Sequence, residues 1–195
     1  MREHTITRRT VIASAAFVPL AALTAQAQAP KLALSAAQRR TLEAMLDRLV
    51  PKDELGPGAV EIGAAEYIDR SLADALAAEK VAFLAGLSRT DQFATASQGA
   101  GFAELSGDKK DAVLTAMEAG RASGFADAQG FFNRVRRLTL EGMFSDPYYG
   151  GNKNFAGWEL IRYPGAKLAV SAQDQRMSVA PTPVRASVWG GQHGH

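Results

Sequence analysis

The chain has 195 residues, no cysteine and a formal net charge of +2, a length that predicts one domain. Three of its 22 basic residues and one of its 20 acidic residues lie in the first ten positions, so the rest of the chain is balanced. That balance argues against a nucleic-acid surface, which needs clustered positive charge. The missing cysteine excludes disulfides, thiolate nucleophiles, iron–sulfur ligation and covalently attached c-type haem in this chain. The three histidines, His4, His193 and His195, sit at the ends, which leaves the body without an imidazole for acid–base or metal chemistry.

The N-terminal segment reads as an address. Met1–Thr10 is polar and basic, and Val11–Leu23 is mostly apolar and uncharged. Ala25 and Ala27 then supply the small-x-small pattern of a signal-peptidase site. Cleavage is expected after Ala27, because cutting after Ala29 would put Pro30 beside the scissile bond. Arg8 and Arg9, directly before the apolar stretch, resemble a twin-arginine export signal. The apolar stretch is short and interrupted by Pro19, so it is expected to span a bilayer poorly, with a retained anchor as the alternative. The expected organisation is a leader over 1–27, a helical domain over 28–167 and an extended tail over 168–195, with the periplasm as destination. The twin-arginine route carries folded cargo, and a passenger with no means of holding a cofactor suggests a folded partner that holds one.

The body predicts helices in succession. Ser35 and Gln38 form a capping box ahead of Leu42, Met45, Leu46 and Leu49, and Pro51 ends that helix. Gly56-Pro57-Gly58 breaks the chain. A second helix is expected over about 62–76, and a third over about 79–96 with Val81, Phe83, Leu84 and Leu87 inward. Ser106 opens a fourth, with Val113, Leu114 and Met117 inward and Gly120 as its stop. The last strong helix is expected over about 126–143, with Phe131, Phe132, Val135, Leu138 and Leu140 inward. Arg134, Arg136 and Arg137 on it read as partners for Glu141 and Asp127, or as a contact for an acidic partner. The fold class is all-α, a small bundle of about five helices.

The stretch from Met143 to Lys167, MFSDPYYGGNKNFAGWELIRYPGAK, is dense in glycine and aromatic residues. Gly150-Gly151-Asn152 follows a helix, and its spacing fits neither phosphate-loop pattern. Glu141 and Glu159 lie at spacings that specify no carboxylate pair with Asp146. Asp146-Pro147 starts a turn, and Phe155, Trp158 and Tyr163 offer apolar area with polar handles, as interfaces do. The expectation is an irregular segment, partly packed inward and partly presented to a partner. The tail beyond Lys167 shows no helical stripe and reads as disordered or as an arm that orders on a partner, the latter favoured by Trp189.

Gly142-Met143-Phe144-Ser145-Asp146-Pro147, Tyr149-Gly150-Gly151-Asn152, Gly157-Trp158 and Tyr163-Pro164-Gly165 together resemble the signature of the gluconate 2-dehydrogenase subunit 3 family. Leu49 to Leu72 and the run FAELSGDKKDAVLTAMEAG are also similar to it. The resemblance implies a non-catalytic small subunit of a periplasmic or membrane-associated dehydrogenase complex. It implies a flavoprotein large subunit of the glucose-methanol-choline type that holds FAD and oxidises a sugar, sugar acid or alcohol. A multihaem cytochrome c would take the electrons. The chain itself would carry no cofactor, would supply the export signal, and would meet the membrane only through the complex. The partner interface is then expected at Phe144, Asp146, Pro147, Tyr148, Tyr149, Gly150, Gly151, Asn152, Trp158, Tyr163 and Trp189. The alternatives are a stand-alone periplasmic enzyme using carboxylates around Asp146, or a small-molecule-binding bundle.

Overall fold

The computed structural model describes residues 32–165, 169–178 and 184–189. Arg8, Arg9, Ala25 and Ala27 lie outside the described residues. Among the described residues there are seven α-helices and no strand, only one antiparallel bridge between Asp53 and Gly56. The helices are α1 (Ala36–Leu49), α2 (Ala59–Ile62), α3 (Ala64–Ala73), α4 (Lys80–Gln98), α5 (Gly107–Glu118), α6 (Ala128–Phe144) and α7 (Ala156–Leu160). The chain is all-α, and five of the helices are long enough to build the bundle. None of the described helices is long and apolar enough to cross a membrane.

Local sequence explains most boundaries. The capping box forms at α1: the Gln38 amide donates to Ser35 Oγ, and the Ser35 amide donates to Gln38 Oε1 at 2.9 Å. The helix predicted over about 62–76 is α3, and the short α2 lies ahead of its predicted start; Gly63, with φ 90°, turns the chain between the two. Glycine enters that left-handed region without the Cβ clash that other residues meet, and periodicity alone cannot reveal whether it does so. Gly99 ends α4 in the same region. Ser106 is the N-cap of α5 by backbone geometry, but its side chain makes no capping bond.

The core forms where the apolar stripes of α1, α3, α4, α5 and α6 converge. Leu42, Met45, Leu46, Ile68, Leu72, Leu87, Val135 and Leu138 have no exposed surface. Phe83 meets Phe131 edge to face at 5.3 Å. Two expected core residues are outside it. Val81 is 80% exposed at the start of α4, and Leu140 is 47% exposed on the outer face of α6. The α6 arginines are satisfied on the surface: Arg137 by Glu141 at 2.6 Å, Arg136 by Glu118 at 3.7 Å, and Arg134 by Glu79 rather than Asp127.

One buried charge has no signal in the sequence. Asp69 on α3 is fully buried, and its Oδ1 accepts the amides of Ala33 at 2.6 Å and Leu34 at 3.0 Å. Its Oδ2 faces Arg39 Nη1 at 3.3 Å. Burying a carboxylate without partners would be costly; here it fixes the residues that lead into α1.

Candidate functional site

The segment from Phe144 to Gly165 folds onto the C-terminal end of α6 as a tight irregular unit. Asn152 is its centre. It is fully buried with φ 46° and ψ 46°. Its Nδ2 donates to the Ser145 carbonyl at 2.9 Å, and its Oδ1 accepts the Gly157 amide at 2.8 Å. Its own amide donates to the Gly142 carbonyl at 2.8 Å. One side chain thereby ties the end of α6 to the start of α7.

The glycines make that closeness possible. A Cβ on Gly151 would sit 2.0 Å from the Gly142 carbonyl oxygen, and a Cβ on Gly157 would sit 1.8 Å from that of Met143. Both distances lie far inside van der Waals contact, so only glycine fits. Phe155 is left-handed at φ 60° and its ring is buried. That backbone costs a bulky residue roughly 1–2 kcal/mol, which the buried ring against Trp158 at 5.3 Å offsets.

Asp146 is held from both sides. Its Oδ1 accepts the Tyr148 amide at 2.9 Å, and its Oδ2 accepts the Val188 amide at 2.9 Å. The second bond brings the C-terminal strap, residues 184–189, onto the segment. The Val184 amide adds a bond to the Pro164 carbonyl at 2.8 Å, Arg185 pairs with Glu159, and Trp189 lies 5.4 Å from Tyr148. This part of the tail therefore orders on the chain's own loop.

The acids nearest Asp146 in sequence are engaged elsewhere. Glu159 binds Arg185. Glu141 accepts from Arg137 and from the Tyr67 hydroxyl at 3.3 Å. Burial, and then the Glu141 charge, raise the Tyr67 hydroxyl above its usual range. Among the described residues, Asp146 is the one acid that lines the hollow beside Phe144, Trp158 and Tyr163. Among the described residues no group of three or more His, Asp or Glu side chains is placed to hold a metal ion.

The expected interface residues divide into two sets. Pro147, Gly151, Asn152 and Trp158 are buried, so they shape the segment and are not presented by it. Trp158 in particular donates Nε1–H to the Phe144 carbonyl at 2.8 Å and packs on Tyr163 at 4.9 Å. Phe144, Asp146 and Gly150 are half-buried, while Tyr148, Tyr149, Tyr163 and Trp189 are exposed. Sequence reasoning missed Ile161, Val188 and Leu160, which are exposed beside them. Of the fourteen large hydrophobic residues that are exposed among the described ones, ten lie from Tyr148 onward. Eight of the ten belong to the segment and the strap, an exposed apolar face of the kind that interaction sites present.

Two hollows flank this face. One, of about 440 Å³, is lined by Phe144, Asp146, Trp158, Ile161, Tyr163 and Val188. The other, of about 410 Å³, lies between Arg70, Ser71 and Asp74 at the end of α3 and Tyr148 and Tyr149. Arg70 is the joint beneath it: its side chain packs against Gly150, and its Nε donates to Glu66 Oε1 at 2.7 Å.

Comparison with known proteins adds one match. A family model described as gluconate 2-dehydrogenase subunit 3 matches residues 36–165, which ends at the last glycine of the segment and leaves the strap outside. No curated protein matches the chain, and no solved structure does.

Proposed function

Because the chain belongs to the gluconate 2-dehydrogenase subunit 3 family, we propose that it is the non-catalytic accessory subunit of a periplasmic, membrane-associated, flavin-dependent dehydrogenase complex. It stabilises a flavoprotein large subunit of the glucose-methanol-choline type and supplies the twin-arginine signal, Arg8 and Arg9, that exports both. The large subunit holds FAD and oxidises a sugar, sugar acid or alcohol; a multihaem cytochrome c removes the electrons.

The observation that carries this reading is the exposed aromatic face on the segment that bears the family signature. A histidine-free body and an Asp146 whose two oxygens both serve backbone amides support an assembly role over chemistry in this chain.

The test is to produce the flavoprotein with and without this chain and to measure its activity in the periplasm. Activity and localisation should depend on this chain, and replacing Arg8-Arg9 by Lys-Lys should strand both subunits in the cytoplasm. Full periplasmic activity without the chain would sink the reading.

A further inference from the structure

We propose that the strap, residues 184–189, is a releasable latch. Closed, as in this structure, it covers the hydrogen-bond acceptors of the segment. Open, it leaves them and bares the Asp146 carboxylate and the Tyr148 ring while the helices stay folded. The latch does not depend on the accessory-subunit reading.

The segment is shaped as a seat for the strap. Gly165 has φ 84°, and a Cβ on it would stand 2.1 Å from the Val184 carbonyl oxygen. The chain is therefore bare of side chain where the strap's backbone crosses it. The family match ends at this same glycine, so the latch lies outside the matched region and acts on residues inside it. Around the crossing, the strap donates and the segment accepts. The Val184 amide donates to the Pro164 carbonyl at 2.8 Å, and the Val188 amide donates to Asp146 Oδ2 at 2.9 Å. The Arg185 guanidinium donates to the Glu159 carboxylate, and the Trp189 ring lies 5.4 Å from that of Tyr148. Extended peptides dock on proteins in this way, with main-chain bonds for affinity and side chains for selectivity.

The same contacts make the strap releasable. Val184, Val188 and Trp189 are 40%, 65% and 60% exposed. Of residues 184–189 only Ser187 is buried, and none belongs to the hydrophobic core. Single hydrogen bonds and exposed ion pairs each add little net stability. An element with few buried apolar contacts opens locally, well before the fold does. The bonds that close the segment itself, from Asn152 to the Ser145 carbonyl and from the Gly157 amide to Asn152, use no strap atom. The strap can leave without undoing them.

Release changes the chemistry of the face. Closed, Arg185 neutralises Glu159, and both oxygens of Asp146 are engaged. Open, Asp146 Oδ2, Glu159 and the Pro164 carbonyl lose these partners together. The face then turns from covered and neutralised to acidic and rich in acceptors.

The test is residue-resolved hydrogen exchange by NMR on the full chain. The Val184 and Val188 amides should exchange about 10–100-fold more slowly than in an unstructured peptide, and at least about 100-fold faster than the Leu138 amide of α6. Arg185→Glu should lower the protection of both strap amides about threefold or more, with Leu138 unchanged. Combining it with Glu159→Arg should restore protection to within about twofold of the parent, which a general loss of structure would not allow. Trypsin supplies a second readout. In the parent it should cut after Arg176, in the exposed stretch 169–178, at least about tenfold faster than after Arg185. Gly165→Ala should bring the two rates together. If that variant also quickens exchange at the Gly157 amide, the segment itself has loosened, and the charge-swap pair decides.

Three results would overturn the latch. Exchange of Val184 and Val188 at the unstructured rate would mean that the strap is not docked. Exchange in step with Leu138 would make it part of the cooperative fold. Unchanged protection in Arg185→Glu would remove the ion pair as a fastening. None of the three bears on the accessory-subunit reading.

Discussion

The helical body and the aromatic–glycine segment are held together by opposite means. The body, from α1 to α6, is stabilised by large aliphatic side chains that fill space between helices, and its backbone is almost everywhere regular. The segment from Phe144 to Gly165 is stabilised by the absence of side chains at Gly151 and Gly157 and by one buried amide, Asn152. In the body a residue matters for the volume it occupies. In the segment it matters for backbone angle and donor geometry. The first kind of structure tolerates substitution by similar shapes; the second tolerates almost none. An interface built on such a segment would need little ordering when a partner binds, which would lower the cost of binding.

The largest expected effects test that contrast directly. Leu138→Ala empties fully buried volume and should cost about 3 kcal/mol by chemical denaturation. Gly157→Ala adds a single methyl group and should cost as much, because that methyl meets the Met143 carbonyl. Gly101→Ala is the control: its added Cβ would have no neighbour closer than 3.9 Å, and it should leave stability unchanged within about 0.5 kcal/mol. A silent Gly157→Ala would mean that the segment yields easily, and the contrast would fail.

The next effect concerns hydrogen bonds. Asn152→Ala strips the Gly157 amide and the Ser145 carbonyl of their partner in a buried place and should cost about 2–3 kcal/mol. Thr139→Ala in the body removes a hydroxyl that bonds only the Val135 carbonyl of its own helix, and should cost about 1 kcal/mol. Equal losses at the two sites, measured by the same denaturation, would erase the distinction.

The same distinction governs how much the sequence reveals. Helical periodicity, the Ser35 capping box and the glycine stops are local signals, so the bundle of long helices is legible in one dimension. Gly63 shows the limit: the short α2 carries no periodic signal of its own, and the left-handed turn at Gly63 that leads from it into α3 is invisible. Asp69 shows another, since its amide partners lie 35 and 36 residues away. In the segment, the motif announces that something unusual is built, but not which aromatics face outward. Trp158 reads as a surface residue by type and is a floor by position. Val188 and Ile161 carry no motif at all, because the hollow they line is made by a strap that returns from residues distant in the chain.

The smallest effect is at the joint between the two regions. Glu66 on α3 binds Arg70, whose side chain supports Gly150, and also Arg39 on α1. Burial opposes its charge, but the hydrogen bonds and charges of Arg70 and Arg39 outweigh that and hold its carboxyl below the ordinary value of 4.5. A carboxyl depressed in the folded state stabilises fully above its unfolded value, and that contribution fades as pH falls through the folded value. The thermal midpoint of the parent chain should therefore drop relative to Glu66→Gln as pH falls below about 4.5, with the two converging at the acid end. Asp111, held below its usual range by its bond to Arg48 on the surface, follows the same sign in both proteins and cancels in the difference. If the joint couples the regions, hydrogen exchange at Tyr149 and Gly150 should quicken in that acid window before exchange in α6 does. Simultaneous loss of protection in both would show one cooperative unit and dissolve the comparison.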